Sequence, residues 1–236
     1  MWAGLSALGV IDPAYLPTPS ALFNELIVLL REGYQGHSLW VHLKASLFRT
    51  LSGFLIGVLL GVPLGLVSGY SNAVGAALSP IMSFIRPIPP IAFIPLSVLY
   101  FGLGETGKIV LITFTAFNYT FINAHAGAKQ VPSTYYRASA SLGLTKRQVL
   151  LKVVSIAAIP QIFTGMKIAM ALSWAVVVAA ELVGAQTGLG FMISDAAQLF
   201  RIPTVFIGVA LIGLIGLLLN AALTGMENKL VHWKGH

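Results

Sequence analysis

The sequence predicts an all-α, polytopic membrane protein of about five transmembrane helices, and three observations predict it. Apolar residues make up 57% of the 236 and charged residues only 9%, with a mean hydropathy of +0.87; a soluble domain carries about 25% charged residues. Too few polar groups exist to coat a globule, which excludes a soluble enzyme and a disordered chain alike. Long stretches without charge recur along the chain, and the net charge of +7 is concentrated in two places. The absence of cysteine excludes a disulfide framework, a thiolate metal site and a cysteine nucleophile.

The charge map locates the spans. Arg49 and Arg86 enclose 36 uncharged residues, Arg86 and Glu105 enclose 18, Lys108 and Lys129 enclose 20, and Arg201 and Glu227 enclose 25; Lys152 to Glu181 contains the single charge Lys167. A span needs roughly 20 apolar residues, so spanning helices are expected near 46–70, 107–129, 160–183 and 203–226. The apolar stretch 74–101 is broken by Arg86-Pro87-Ile88-Pro89-Pro90. It reads as two short helices joined at the break, or one span with an irregular centre. Irregular backbone at membrane depth survives only buried in protein or lining a cavity, which makes Arg86, Pro87 and Pro89 candidate pathway residues. Upstream, Asp12-Pro13 and Leu16-Pro17 are extended. Thr18 caps a helix over about 19–31 with Pro19 at its first position, too short to span and expected at the interface. Residues 1–40 thus form an external or interfacial segment with one short helix, and 41–230 the membrane domain.

Positive charge sets the orientation. Lys129, Arg137, Lys146, Arg147, Lys152, Lys167, Lys229 and Lys234, against Glu227, account for the whole net charge, while the remaining acids and bases cancel. The 130–158 loop and the C-terminus are therefore expected in the cytoplasm. Counting spans backward puts residues 12–40 outside, so either the chain starts outside or a first span is missing from this sequence.

Gly53, Gly57, Gly61, Gly65 and Gly69 recur every fourth residue, a ladder of small residues that lets another helix approach closely. Packing within the chain is favoured over dimerisation, and Pro63 is expected to bend this helix. Intramembrane charge is a functional hypothesis by default. Arg86 either attracts an anion, or anchors at the cytoplasmic interface or pairs with an acid. Glu181 either pairs with Arg86 or Arg49, or caps the backbone amides of 184–190. Asn118, Tyr119, Asn123, Ser173 and Trp174 are candidates to line a pathway, with packing and interhelical hydrogen bonds the alternative for each. Glu105 and Lys108 are expected to pair locally.

The loop from Val131 carries the most information. Ser133 is expected to cap a short helix to Leu142, Gly143 suits the left-handed residue that ends it, and Thr145 with Gln148 forms a capping box for the next helix. A short helix held between two caps, with small residues Ala138, Ser139 and Ala140 and no acid nearby, suits docking to a cytoplasmic protein; the alternative is an interfacial helix on anionic lipid. Gly102-Leu-Gly-Glu-Thr-Gly107-Lys108 nearly spells a nucleotide-binding loop, but Ile109 replaces the hydroxyl that holds magnesium. His37, His42, His125, His232 and His236 show no metal spacing, and no Gly-x-Ser-x-Gly elbow exists, so no metal, cofactor or catalytic residue is expected. The basic stretch 129–152 fits the inside rule better than nucleic acid. A secondary transporter and an intramembrane hydrolase stand as alternatives at this point.

Ala138-Ser139-x-x-x-Gly143, followed by Ile159-Pro160, resembles the EAA loop of inner-membrane permease subunits of binding-protein-dependent ABC importers, written Glu-Ala-Ala, three residues, Gly, nine residues, Ile-x-Leu-Pro. Here Arg137 stands at the Glu position, Ser139 at the second Ala, and Ser155-Ile156 where Leu-Pro falls, with Pro160 four residues on. These departures, together with Leu16–Ser20, Arg86–Pro90, Phe101–Glu105, Ala179–Leu182 and Gly188–Met192, resemble the taurine, alkanesulfonate, nitrate and bicarbonate branch. The resemblance runs from about residue 12 to 230. It implies the type I importer permease fold in the bacterial inner membrane, with two ATPase subunits, a second permease subunit (a homodimer is expected), an external solute-binding protein and the bilayer as partners, and no enzymatic activity of its own. The 133–142 helix in the 130–158 loop would be the coupling helix, with Tyr136, Arg137, Ala138, Ser139, Leu142 and Gly143 at the ATPase. The implied solute is a sulfonate such as taurine or another small anion; nitrate, bicarbonate and pyrimidine- or riboflavin-like solutes are the alternatives. Family members carry a further N-terminal span, so the sequence is expected to be one span short.

Overall fold

The computed structural model describes residues 16–231; Asp12-Pro13, His232, Lys234 and His236 lie outside the described residues. Helix α1 (Pro19–Arg31) starts as its sequence dictates. Thr18 is extended and its Oγ1 accepts from Ala21 N at 3.1 Å, with Pro19 in the first turn. A tight turn follows, in which Tyr34 and His37 exchange backbone hydrogen bonds of 2.7 and 3.0 Å. Helix α2 (Leu39–Tyr70) then runs 32 residues, continuing through Pro63. It begins seven residues before the predicted start because its polar first turns find partners inside the protein: His42 and Arg49 are 0% and 3% exposed.

Helix α3 (Asn72–Ile85) ends at the proline break. A 3-10 turn (Pro90–Phe93) and helix α4 (Ile94–Phe101) follow, and the two arms are bent by 82°. Helix α5 (Glu105–Lys129) leads to two short helices, α6 (Ser133–Ser141) and α7 (Lys146–Val149). A π-helical turn (Leu150–Val154) joins α7 to α8 (Ser155–Gly184), which passes through Pro160. The chain closes with α9 (Leu189–Gln198) and α10 (Ile202–Leu230). Four helical stretches are long and apolar enough to cross a membrane, and the bent pair adds a fifth if it is one span. The expectation had no helix at 189–198, since ten residues with buried Leu189, Met192 and Ala196 give no span-length signal.

By contacts the described chain divides into two compact units, residues 16–49 with 177–217, and 50–176 with 218–231. In the second unit the glycine ladder meets α5. A Cβ added at Gly53 would fall 2.7 Å from Ile112 Cβ, one at Gly57 2.5 Å from Ala116 Cβ, and one at Gly65 2.8 Å from Ala124 Cβ. Gly61 and Gly69 abut Thr120 and the His125 carbonyl in the same way. The partners advance by four residues together, so α2 and α5 run parallel with their backbones in contact. Two parallel neighbours require the chain between them to return across the membrane, so the bent α3–α4 pair serves as the fifth span. Helix α8 packs antiparallel on α5, with Gly165 against Asn123 and Gly127 against Ala158 and Gln161. Phe54, Ala116, Ala169, Met170 and Leu223 form the core where α2, α5, α8 and α10 meet.

Filling the ladder should be costly because backbone stands behind it: beside Ala116, the Phe117 N and Thr113 O both lie 2.7 Å from the added Cβ of Gly57. Gly57→Leu is expected to cost at least about 1–3 kcal/mol. Gly213→Leu, where nothing lies within 4 Å, should stay within about 0.5 kcal/mol of wild type. Thermal unfolding of the purified protein in detergent checks the contrast.

Candidate functional site

Three polar or exposed assemblies stand out on this framework. The first is α6. Pro132, extended at φ −60° and ψ 143°, occupies the capping position and no side chain caps the helix; the expected Ser133 cap is not formed, because Pro132 already sets the entry and Ser133 is the first helical residue. The other end follows the sequence. Gly143 sits at φ +70°, its N–H reaches Ala140 O at 3.0 Å, and Leu144 N reaches Ser139 O at 3.0 Å. The Thr145–Gln148 capping box is complete. Beneath α6, Tyr136 stacks on Tyr70 with ring centres 6.2 Å apart. Val131, Val149 and Val154 pack with Ala128, Leu66 and Leu144. Burial pushes the Tyr136 phenol up from its ordinary value.

Of the six residues expected at a partner contact, Arg137, Ala138, Leu142 and Gly143 are exposed, Tyr136 is half-buried and Ser139 is buried. Residues 136 and 139 share one helix face at spacing three, and that face is the one turned to Tyr70. Ser139 Oγ donates back to Tyr135 O at 2.6 Å, so the open small-residue surface is narrower than the sequence predicts. Tyr135, 51% exposed, and Leu142, 77% exposed, supply its apolar area.

The second assembly is a cleft lined by α2, α3 with its C-cap Arg86, and α5. Ser68, Ser79, Met82, Ser83, Arg86, Phe121, Ile122 and His125 line a cavity of about 130 Å³. A second cavity of about 250 Å³ shares Ser68, Ser79 and His125 with it and adds Asn72 and Lys129. Ser68 Oγ and His125 Nδ1 are 3.0 Å apart. Arg86 caps the C-terminus of α3, its N–H bonding Met82 O, and Pro87 and Pro89 are exposed in the joint beyond. The sequence singled out Arg86 but not the three serines or His125, since their convergence depends on how α3 folds back beside α2 and α5.

The third assembly lies in the first unit and is buried. Glu181 accepts from Arg49 Nη1 at 2.7 Å, from Ser46 Oγ at 2.8 and 2.9 Å and from Gly190 N at 2.9 Å. Arg49 also donates to Thr187 O at 2.7 Å, and Ser46 accepts from Leu189 N at 2.9 Å. Of the partners open to Glu181 in the sequence, Arg49 and an amide of the following link are those it takes. His42 Nδ1 accepts from Gly188 N, which leaves Nε2–H to donate to Tyr34 O. Gly188, at φ +128°, admits no Cβ because one would fall on the Glu181 carboxyl. At the edge of this lattice Asp195 accepts from Tyr34 OH at 2.7 Å and Gln35 Nε2 at 2.9 Å. These bonds hold its carboxyl below the usual range, while burial and then Asp195 itself push the Tyr34 phenol up. A lowered carboxylate contributes stability above its ordinary pKa and loses it as pH falls through the folded value, so this strap is whole at neutral pH.

Asn118, Ser173 and Trp174 are buried at 4%, 0% and 6% exposure. Asn118 Oδ1 and Ser173 Oγ have no hydrogen-bond partner among the described residues. Asn123 bonds Gln161 across α5 and α8 at 3.2 Å, and Lys108 reaches Glu105 at 3.6 Å. The described residues hold no cluster of His, Cys, Asp or Glu able to hold a metal ion.

A family model described as binding-protein-dependent transport system inner membrane component matches residues 57–232. The chain belongs to this family. As such a permease it is 38% identical over 236 residues to the taurine transport system permease protein of Escherichia coli strain K12, covering 100% of this chain and 86% of that protein. It is 36% identical over 213 residues to the bicarbonate transport system permease protein of Synechococcus elongatus, covering 87% and 77%. A chain of the MetNI methionine ABC transporter, solved in inward-facing conformations, shares the fold with a TM-score of 0.71 at 20% identity, covering 81% of this chain and 97% of that one. The chain is thus an ABC importer permease subunit, a multi-pass inner-membrane protein of the branch its motifs indicated.

The buried lattice of this permease makes a direct prediction. Removing one partner of a buried ion pair costs about 3–5 kcal/mol, while apolar replacement of both is far milder. Arg49→Met and Glu181→Leu alone should each greatly lower the yield of folded protein, and the double variant should recover part of it. Folded yield by size-exclusion chromatography and thermal midpoint check this.

Proposed function

We propose that this permease moves a small anion, of the sulfonate or bicarbonate class, inward across the cytoplasmic membrane at the expense of ATP hydrolysed by a separate pair of ATPase subunits. The class is supported by the names of its relatives and by the absence of any carboxylate from the lining of the Arg86 cleft. A second copy of the permease completes the pathway, and an external solute-binding protein delivers the solute.

The observation that carries the coupling half of this reading is that α6 is clamped at its C-terminal end and along its underside yet presents its outer face. Schellman bonds and a capping box fix one end, and the Tyr70–Tyr136 stack fixes the underside. Leu142, Arg137 and Ala138 are left open. A rigid knob of one exposed leucine beside an arginine suits a groove on an ATPase. It lies in the 130–158 loop, whose excess of positive charge puts it in the cytoplasm. Closure of the ATPases on ATP would draw the two knobs together, and because each is fixed to its bundle the motion would reach the spanning helices without being absorbed in the loop. The exposed faces of Tyr135, Arg137, Ala138 and Leu142 are assigned the contact; Tyr136 and Ser139 hold the knob in place, and Gly143 turns the chain.

Gly143→Leu tests this directly. A Cβ there meets nothing within 4 Å, so the change acts through the left-handed backbone, at roughly 1–2 kcal/mol. The variant should reach the membrane in normal amount while solute uptake and solute-stimulated ATPase activity fall at least severalfold. Full uptake with full coupling in Gly143→Leu would refute the docking assignment.

A further inference from the structure

The charges on and at the ends of the spanning helices divide into two kinds. Arg49 is paired with Glu181, Lys167 with Glu227 at 2.6 Å, and Lys108 with Glu105. Arg86 forms no ion pair among the described residues, and neither does Lys129. Both side chains are exposed, and a cation with no carboxylate beside it can bond an incoming anion. Arg86 lines one and Lys129 the other of two cavities beside α2, α3 and α5 that share Ser68, Ser79 and His125, and no acidic residue lines either one.

The same cavities gather neutral donors. Ser68, Ser79 and Ser83 bring hydroxyls and Asn72 an amide. Ser68 engages Nδ1 of His125, which leaves Nε2 as the imidazole nitrogen available to the space. A planar guanidinium and hydroxyl donors without a competing carboxylate suit an oxyanion, to which arginine bonds in bidentate fashion. The back wall is fixed, because Gly69 abuts the His125 carbonyl and a Cβ at Gly75 would meet Ser68 O at 2.7 Å. Ser79, Ser83 and Arg86 line the side formed by α3 and its C-cap.

We propose that this cleft binds the oxyanion head of a small solute, sulfonate or bicarbonate, through Arg86, with the Ser68–His125 pair and Ser83 as further donors and Lys129 at the rim. The proposal rests on the reading of the chain as an anion permease. Since Lys129 adjoins the 130–158 loop, the site lies at the cytoplasmic end of the pathway, where it would hold the anion last before release. A phospholipid phosphate offers the same oxyanion chemistry, so the test must separate the two sources.

Binding of labelled taurine is measured on the assembled permease–ATPase complex in dodecyl maltoside without its binding protein, alongside uptake into proteoliposomes with it. Saturable taurine binding is expected, displaced by methanesulfonate and bicarbonate but not by ethanolamine, which lacks the anion. Arg86→Gln should weaken it at least tenfold, Arg86→Lys less, Lys129→Gln about two- to fivefold, and Arg31→Gln, a cation outside the cleft, not at all. If Arg86→Gln fails to assemble, Ser83→Ala with Lys129→Gln should still weaken binding severalfold. Undiminished binding in Arg86→Gln, or wild-type uptake without any binding to the complex, overturns the site and leaves the anion reading standing. Wild-type uptake of neither taurine nor bicarbonate overturns the anion reading itself. Displacement of taurine by phosphatidylglycerol, with Arg86→Gln losing the lipid's effect, assigns the cleft to lipid phosphate and overturns the solute.

Discussion

The second unit is organised by one steric constraint: two helix backbones in contact over four turns. Lipid tails are as apolar as leucine, so membrane helices gain little from hydrophobicity by associating and depend on packing. Gly53 to Gly69 on α2 and Ala116, Thr120, Ala124 and Ala128 on α5 supply that packing with almost no side chain between the two helices. Thr120 fits because its hydroxyl is satisfied within its own helix, donating to Ala116 O at 2.7 Å. The parallel sense of the pair then dictates topology. A parallel neighbour cannot follow directly in the chain, so α3 and α4 cross between them, and their 82° bend comes directly after Arg86, which lines a cavity.

The two functional features both hang from the far end of this contact. Ser68 and His125, which form the wall of the cleft, sit beside Gly69. Tyr70, the last residue of α2, carries the stack that holds α6 through Tyr136. The first unit is organised differently, by burying charge and satisfying it completely. Glu181 receives donors from a guanidinium, a hydroxyl and an amide, and the cost of removing these groups from water is met only because none is left unpaired. Gly188 and Gly190 exist there to let backbone reach the carboxylate.

Much of this was legible in the sequence, and what was not has definite causes. The glycine ladder, the Thr18 and Thr145 caps, the left-handed Gly143 and the proline break are local patterns with local physics, and the chain forms them. The partner of the ladder was equally visible as Ala116, Thr120, Ala124 and Ala128, but a stripe of small residues becomes a signal only when its counterpart is known. The start of α2 was missed because the apolar span was expected only from residue 46, whereas His42 and Arg49 are buried against residues about 130 to 150 positions away. The Ser133 cap failed because two capping candidates compete and Pro132 fixes the backbone first. The cleft was half legible: a lone arginine beside prolines is visible, while hydroxyls spread over α2 and α3 and an imidazole on α5 carry no sequence pattern.

The joint position of cleft and knob bears on how motion could be transmitted. In the proposed mechanism α6 receives the displacement of the ATPase. Its underside is fixed to Tyr70, and Gly69 is locked against α5 one residue earlier, so α2, α5 and α6 respond as one body. That body carries Ser68, His125 and Lys129. Arg86 belongs to α3, which reaches α2 through the single residue Ser71 and leads into the flexed Pro87–Pro89 joint. A displacement of α6 therefore changes the spacing between Arg86 and the other donors before it changes anything inside the α2–α5 contact. An anion held by donors on both sides of that divide loses them together when the sides part, so the weakest mechanical line in the unit is also the line along which an anion would be gripped or released.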